Sequence, residues 1–248
     1  MRVFTIRIHG SLPERLNALG SAIAFASLYQ RQLRVYWSPD CSPLSSFFCK
    51  PEVRPAPHPW AEPAVFEEIS GAAFSCAMGA GIAFSRDLPA NEAHSSVWAE
   101  SDTNFMDELA GQPSSPYLSR VLLADSIRRR VDVVLREHFG DVAITGVIAR
   151  EGANLSEAQR RVDNLAAAGA RIYLSIDDAT LLQALFDAYP DYVFTVPQRG
   201  VAGSIRAGQT DLADLYILAC ADHIVGHACP FSQLAARLQG SSYEECLE

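Results

Sequence analysis

Three apolar runs in this chain end abruptly on polar residues, and those residues are the ones whose types and spacing could do chemistry. Arg150 and Glu151 follow Val147-Ile148-Ala149, Asp177 and Asp178 follow Leu174-Ser175-Ile176, and Gly226 with His227 follow Ile224-Val225. The last of these sits in a longer segment, Asp211 to Ala236, that reads as helix, short buried strand, polar loop and helix. A polar loop at the carboxyl end of a buried strand, leading into a helix N-terminus, is where α/β proteins hold phosphates. The chemistry suggested is therefore the binding of a nucleotide-type anion.

Each candidate has two readings. The Arg150 guanidinium could give a diphosphate two parallel hydrogen bonds, or it could form a surface ion pair with Glu151. Asp177 and Asp178 stand where a strand meets a helix, so one could take hydrogen bonds from ribose or base while the other caps the helix. Asp214 lies on a helix with Leu212, Leu215 and Leu218; it either points to solvent or is buried and needs donors, which the adjacent N1–H and amine of guanine would supply. Ser232 and Gln233, after Pro230, could donate to a phosphate together with backbone N–H groups, or cap their helix. Cys220, His223, His227 and Cys229 are close enough in sequence to suggest zinc, but a strand would turn them to different faces, so no metal is expected.

The elements needed to position these residues can be read from periodicity. Val3 to Ile8 alternates as a strand, Leu12 to Leu28 has helical spacing with Pro13 in its first turn, and Leu33 to Tyr36 is a second strand. Residues 38–63 carry seven prolines and read as a long loop. Ala72–Cys76 and Gly81–Phe84 are apolar pieces read as possible strands. A helix is expected from Leu118 to His138 with Val131 and Val134 inward, and Arg128-Arg129-Arg130 within it reads as solvated. Val142–Ile148, Ala170–Ser175 and Tyr192–Val196 are expected strands, while Leu155–Ala168 and Asp178–Tyr189 are expected helices. Alternating strands and helices with short connections imply parallel sheets and right-handed crossovers, so the fold class is α/β.

Composition narrows the function. The 248 residues, 49% of them hydrophobic, can build a sizeable core in one large or two small domains. A formal net charge of -9 argues against a nucleic-acid or anionic-membrane partner. No apolar run is long enough for a transmembrane segment or a signal peptide, which makes a cytoplasmic protein the expectation, and the six cysteines form no Cys-x-x-Cys pair. Gly-x-Ser-x-Gly, Walker-type and His-Glu-x-x-His motifs are missing, which weakens hydrolase, NTPase and metalloprotease readings.

Several segments, in order, resemble the fucosyltransferase superfamily that includes the nodulation, α1,6- and protein O-fucosyltransferases. Gly10-Ser-Leu-Pro13-Glu14-Arg15 resembles the family's Gly-x-Gly-Asn-Arg/Gln start, with Pro13 and Glu14 in place of Gly and Asn. Ala149-Arg150-Glu151 stands at the family's His-x-Arg-Arg motif and keeps one arginine. Leu174-Ser-Ile-Asp177-Asp178 resembles Ala-Thr-Asp-Asp, and Asp214-Leu-Tyr-Ile-Leu matches the helix whose Asp reads guanine. Cys229-Pro230 replaces a Ser-Ser pair ahead of the retained Phe231-Ser232-Gln233, and Pro230 offers neither a hydroxyl nor an N–H.

This resemblance implies a GT-B-like protein of two Rossmann-like halves with mostly parallel sheets. Residues 1–117, including the Pro-rich loop 38–63, would serve the acceptor, and residues 118–248 would bind the nucleotide sugar. It implies an inverting, metal-independent glycosyltransferase that moves a fucose-like sugar from a nucleotide diphosphate, GDP-linked, to a glycan or other hydroxyl acceptor, with no further cofactor. In that reading Arg150 holds the diphosphate, Asp214 the base, Asp177 or Asp178 the ribose side, and Ser232 with the Gly226–Phe231 loop, including His227, the phosphates. Glu14 is the candidate acceptor base. The departures at Ala149, Glu151 and Pro230 support a different class, a non-catalytic nucleotide- or glycan-binding relative on the same scaffold.

Overall fold

The computed structural model describes residues 2–39, 43–48, 66–85, 91, 94–103, 105, 123–140, 142–150, 152–196, 204–239 and 242–245. The chain divides into two compact units, Met1–Ala124 and Asp125–Glu248. Each contains a five-stranded sheet whose named strands all pair in parallel, with seven helices among the described residues. Among the described residues an isolated bridge, Phe48 with Leu123, is antiparallel.

In the first unit, strand β1 (Val3–Ile8) leads through helix α1 (Leu12–Leu28) to β2 (Gln32–Trp37). β3 (Phe66–Glu68), helix α2 (Gly71–Ala80), β4 (Ile82–Ala83) and β5 (Ser96–Ser101) complete the sheet in the order β3-β2-β1-β5-β4. β1 is central because Phe4, Ile6 and Ile8 bury one face against α1, where the rings of Phe4 and Phe25 meet with centroids 4.6 Å apart. Arg15, fully buried, ties the strand ends together: its Nε donates to the Gly10 carbonyl at 2.7 Å and its Nη1 to the Ser38 carbonyl at 2.8 Å.

Residues 72–76 are helical, which corrects the strand expectation. The Ser70 hydroxyl accepts the Ala73 N–H and starts α2, and of the run Ala72–Cys76 the helix buries Phe74 alone. A short run of small apolar residues carries no periodicity that separates strand from helix, so the cap decided it.

The second unit opens with helix α3 (Asp125–His138), which buries Ile127, Val131 and Val134. Its start is later than the expected Leu118: Leu123 is in the bridge to Phe48, and residues 118–122 lie outside the described residues. Then follow β6 (Ile144–Ala149), α4 (Leu155–Ala167), β7 (Arg171–Ile176), α5 (Ala179–Ala188), β8 (Val193–Phe194), α6 (Ile205–Leu218), β9 (His223–Gly226), α7 (Pro230–Gln239) and β10 (Ser242–Glu245). Strand order is β10-β9-β6-β7-β8. The chain winds outward from β6 through β7 to β8, then crosses back to β9 on the other side of β6. This reversal makes the gap between β6 and β9 the switch point of a doubly wound sheet.

Strand alternation sends β6 residues to opposite layers. Val147 and Ala149 join Val162, Leu174 and Val225 in a core beneath α4 and α5. Gly146 faces α6 instead, where an added Cβ would stand 2.5 Å from the Leu218 side chain. β6 is thus apolar on both faces, as a central parallel strand must be. Among the described residues no helix is long and apolar enough to cross a membrane.

Candidate functional site

The carboxyl ends of β9, β6 and β7 lie side by side in matched register. Ile148 pairs with Gly226 on one side and with Ser175 on the other, so the residues just beyond the strands emerge together. The Asp177 N–H donates to the Ala149 carbonyl at 3.1 Å, which extends the ladder to the loop. The structure therefore brings Arg150, Asp177, Gly226 and His227 to one edge of the sheet.

Arg150 is the centre of that edge. Its Nη1 donates to Asp211 Oδ1 at 2.6 Å, its Nη2 to Asp214 Oδ2 at 2.8 Å, and its Nε and Nη2 to the Ser175 hydroxyl at 3.2 and 2.9 Å. Asp177 Oδ1 is 3.4 Å from Nη1, and the Phe231 ring covers one face of the guanidinium, with its centroid 3.9 Å from Cζ. Burial works against the cation, but Asp214, Asp211 and Asp177 outweigh it and raise the Arg150 pKa above the ordinary arginine value. The charge is held from four places at once: β7, the loop after it, α6 and α7. Glu151, the alternative partner expected from sequence, lies outside the described residues.

Asp214 is fully buried. Its Oδ1 accepts from the Tyr173 hydroxyl, and its Oδ2 accepts from Ser175 at 3.0 Å as well as from Arg150. Of the two readings open from sequence, burial with donors is the one realised, and the donors come from the protein. The carboxylate expected to read a base is in hydrogen-bond contact with the arginine. Its burial follows from α6: with Leu212, Ala213, Leu215, Ile217 and Leu218 all buried, the helix presents little of its circumference to water.

The two carboxylates after β7 divide their roles. Asp178 is the N-cap of α5, its side chain accepting the Leu181 N–H at 2.7 Å, whereas Asp177 is exposed and faces Arg150. Ser232, placed on the phosphate by expectation, is buried with its hydroxyl turned back onto its own loop. Its Oγ lies 2.9 Å from the carbonyls of His227 and Cys229 and accepts the Cys229 N–H at 3.0 Å. One hydroxyl thus shapes the turn from β9 into α7. Gln233 is exposed.

A cavity of about 380 Å³ opens at the switch point, on the α4 side of the sheet. Gly152, Asn154 and Glu157 line it from the start of α4, Arg161 from one turn further, and Gly226 and His227 from the end of β9. Gly226 is required by close approach: a Cβ there would lie 2.3 Å from the Ile148 carbonyl oxygen. The Asn154 side chain accepts the Glu157 N–H at 3.2 Å and caps α4, whose N-terminus meets the cavity. Backbone N–H groups, a helix dipole, an arginine and a histidine suit an anionic or polyhydroxylated ligand.

Glu14 lies in the first unit, where it caps α1. Hydrogen bonds from the Ser11 hydroxyl and then the Ser11 N–H, the latter at 2.7 Å, lower its pKa below the usual carboxylate value. The contact shown for this carboxylate is the capping one, to the start of α1. Among the described residues no group of three His, Cys, Asp or Glu side chains gathers as a metal site.

Tyr173, Ser175 and Asp211 received no role from sequence, and Phe231 was expected only as the end of the phosphate loop. Asp211 and Asp214 carry a signal, since carboxylates three apart on a helix share a face and the second falls on the apolar stripe. Ser175 and Tyr173 carry a weaker one, two polar atoms at alternate positions of a strand otherwise apolar on both faces.

No family model and no curated protein matches the chain. Solved structures do match over its length. NodZ α-1,6-fucosyltransferase soaked with GDP-fucose aligns with a TM-score of 0.67 at 20% identity, covering 96% of this chain and 93% of that one. Fucosyltransferase NodZ from Bradyrhizobium gives 0.66 at 20% identity, over 95% and 93%. Arabidopsis thaliana FUT1, as a variant in complex with GDP, gives 0.63 at 13% identity, over 99% of this chain and 70% of that one. The chain has the fold of these fucosyltransferases, two α/β units with parallel sheets.

Proposed function

We propose that the chain is a glycosyltransferase whose second unit binds a nucleotide diphosphate sugar, GDP-linked, and whose first unit serves a hydroxyl acceptor in a GT-B-like arrangement. The observation that carries this reading is the switch-point cavity between β6 and β9, with Arg150 held at the same strand ends. Fold likeness to proteins crystallised with GDP or GDP-fucose supports the ligand class. The reaction is displacement at the anomeric carbon with inversion and without a metal: the acceptor oxygen forms its bond, the bond to the diphosphate oxygen breaks, and the acceptor proton passes to a base or to water. Arg150 offsets charge on the departing diphosphate, the kind of electrostatic term on which such a step rests. Asp214 holds that arginine in place, Asp177 meets ribose hydroxyls, and the cavity takes the remainder of the donor.

A second reading, a non-catalytic binder on the same scaffold, is favoured by one observation: the Arg150 donors are already directed at Ser175, Asp211 and Asp214. Calorimetric titration with GDP, GDP-fucose, UDP and a UDP-sugar separates these readings from a wholly different one. GDP and GDP-fucose are expected to bind, and His227→Ala, at the cavity wall, should weaken them roughly tenfold. Absence of binding by every nucleotide would overturn the first reading and leave, of the second, only a glycan binder. Slow hydrolysis of GDP-fucose without acceptor marks the enzyme, and binding with no hydrolysis or transfer marks the binder.

A further inference from the structure

Arg150 shows two different edges. Nε and Nη2 are turned inward to Ser175 and Asp214, and Asp214 is 0% exposed. Nη1 is turned outward, to Asp211 at 2.6 Å and Asp177 at 3.4 Å, whose side chains are 34% and 48% exposed. The inward edge cannot be released without uncovering a buried charge, whereas the outward edge is held by carboxylates that water already reaches. Among the described residues three carboxylates meet this one guanidinium, and two of them reach water. A carboxylate that water already reaches is the one that can give way to an incoming anion.

We propose that Asp211 is a tethered stand-in for the anionic group of the ligand, occupying Arg150 Nη1 when the site is empty and yielding it when a diphosphate binds. The inference rests on the donor reading above. Asp211 rather than Asp177 fills this role because it makes the short, direct hydrogen bond to Nη1. It also stands one turn before Asp214 on α6, so a rotation about its side-chain bonds frees Nη1 while the helix and the buried Asp214 stay where they are. Asp211 and Asp177, the two carboxylates on Nη1, both reach water, so the outward edge of Arg150 is the one a ligand can approach. Asp211 then sets both affinity and charge preference: only a multiply charged group competes well with a carboxylate that is always present.

The test is titration of wild type, Asp211→Asn and Asp177→Asn with GDP, pyrophosphate and uncharged guanosine, with Asp211→Ser as a second substitution and thermal melts as the check on folding. Asp211→Asn keeps the shape and removes the charge. It should tighten GDP and pyrophosphate about tenfold or more and leave guanosine unchanged, because removing one like charge at contact distance acts only on charged ligands. Asp177→Asn should give a smaller gain. Equal GDP affinity in wild type and both Asp211 variants, or equal tightening of GDP and guanosine, would overturn the proposal and leave the donor reading intact. GDP binding that appears only in the Asp211 variants would support it. Failure of GDP and pyrophosphate to bind any folded variant would overturn the donor reading and the proposal with it.

Discussion

Removing the Arg150 side chain should cost stability mainly through the charge it leaves behind. In Arg150→Met the fully buried Asp214 carboxylate keeps the hydroxyls of Tyr173 and Ser175 but loses its cation. Breaking a buried pair from one side costs about 3–5 kcal/mol. The two remaining hydroxyl donors place this case near 3, while Asp211 and Asp177 can turn to water and add little. For a unit the size of Asp125–Glu248, a loss of that order lowers the melting midpoint by on the order of 10 °C. Asp214→Asn added to Arg150→Met removes the orphaned charge, and its amide oxygen still accepts from Tyr173 and Ser175. The double variant should recover most of the loss, a coupling of about 2 kcal/mol in a double-mutant cycle. Calorimetry and far-UV circular dichroism read the transition. Trp37, Trp60 and Trp98 all belong to the first unit, so tryptophan fluorescence follows that unit separately. A single variant within about 1 kcal/mol of wild type, or a double variant no more stable than the single, would refute the claim that a buried charge pair organises this edge.

Two other substitutions test the backbone and the cap. Gly226→Ala forces a methyl to 2.3 Å from the Ile148 carbonyl oxygen and should destabilise the second unit by about 3 kcal/mol, whereas Gly79→Ala, with nothing within 4 Å, should stay within about 1; urea unfolding measures both. Glu14→Gln should cost the first unit about 0.5–1 kcal/mol at neutral pH. Because the folded-state pKa of Glu14 lies below its unfolded value of 4.5, its contribution is complete above that value and is lost as the pH falls through the folded value. Melting curves of wild type and variant should therefore converge in acid, and a gap that persists there would mean that the carboxylate charge is not what stabilises α1.

Much of the fold was legible because strand and helix periods are local. The alternation of Val3–Ile8 and the cap at Asp178 needed no partner to be recognised, and the three polar strand ends were already visible as one constellation. What sequence could not show was which side of an open choice the tertiary contacts would take. Asp214 was equally consistent with water or a ligand until Tyr173 and Ser175, from another element, appeared beneath it. Ser232 was legible as a hydroxyl near a helix start, but its contact with the His227 carbonyl was not. Ala72–Cys76 was misread for a related reason in miniature, since a single Ser70 contact decides a five-residue run too short to show a period.

The central position of β6 also bears on how the chain is made. β6 leaves the ribosome early in the second unit, while the strand that covers its other edge comes much later: the Ile144 N–H finds its acceptor on Asp222, 78 residues downstream. At ordinary translation rates that interval is roughly ten seconds. Throughout it the apolar β6–β7 pair can form, but the β6 edge has open N–H and C=O groups and nothing to pair with. The switch point that gives the finished protein its cavity is therefore, during synthesis, a sticky seam, and it is the place where a chaperone would have most to do.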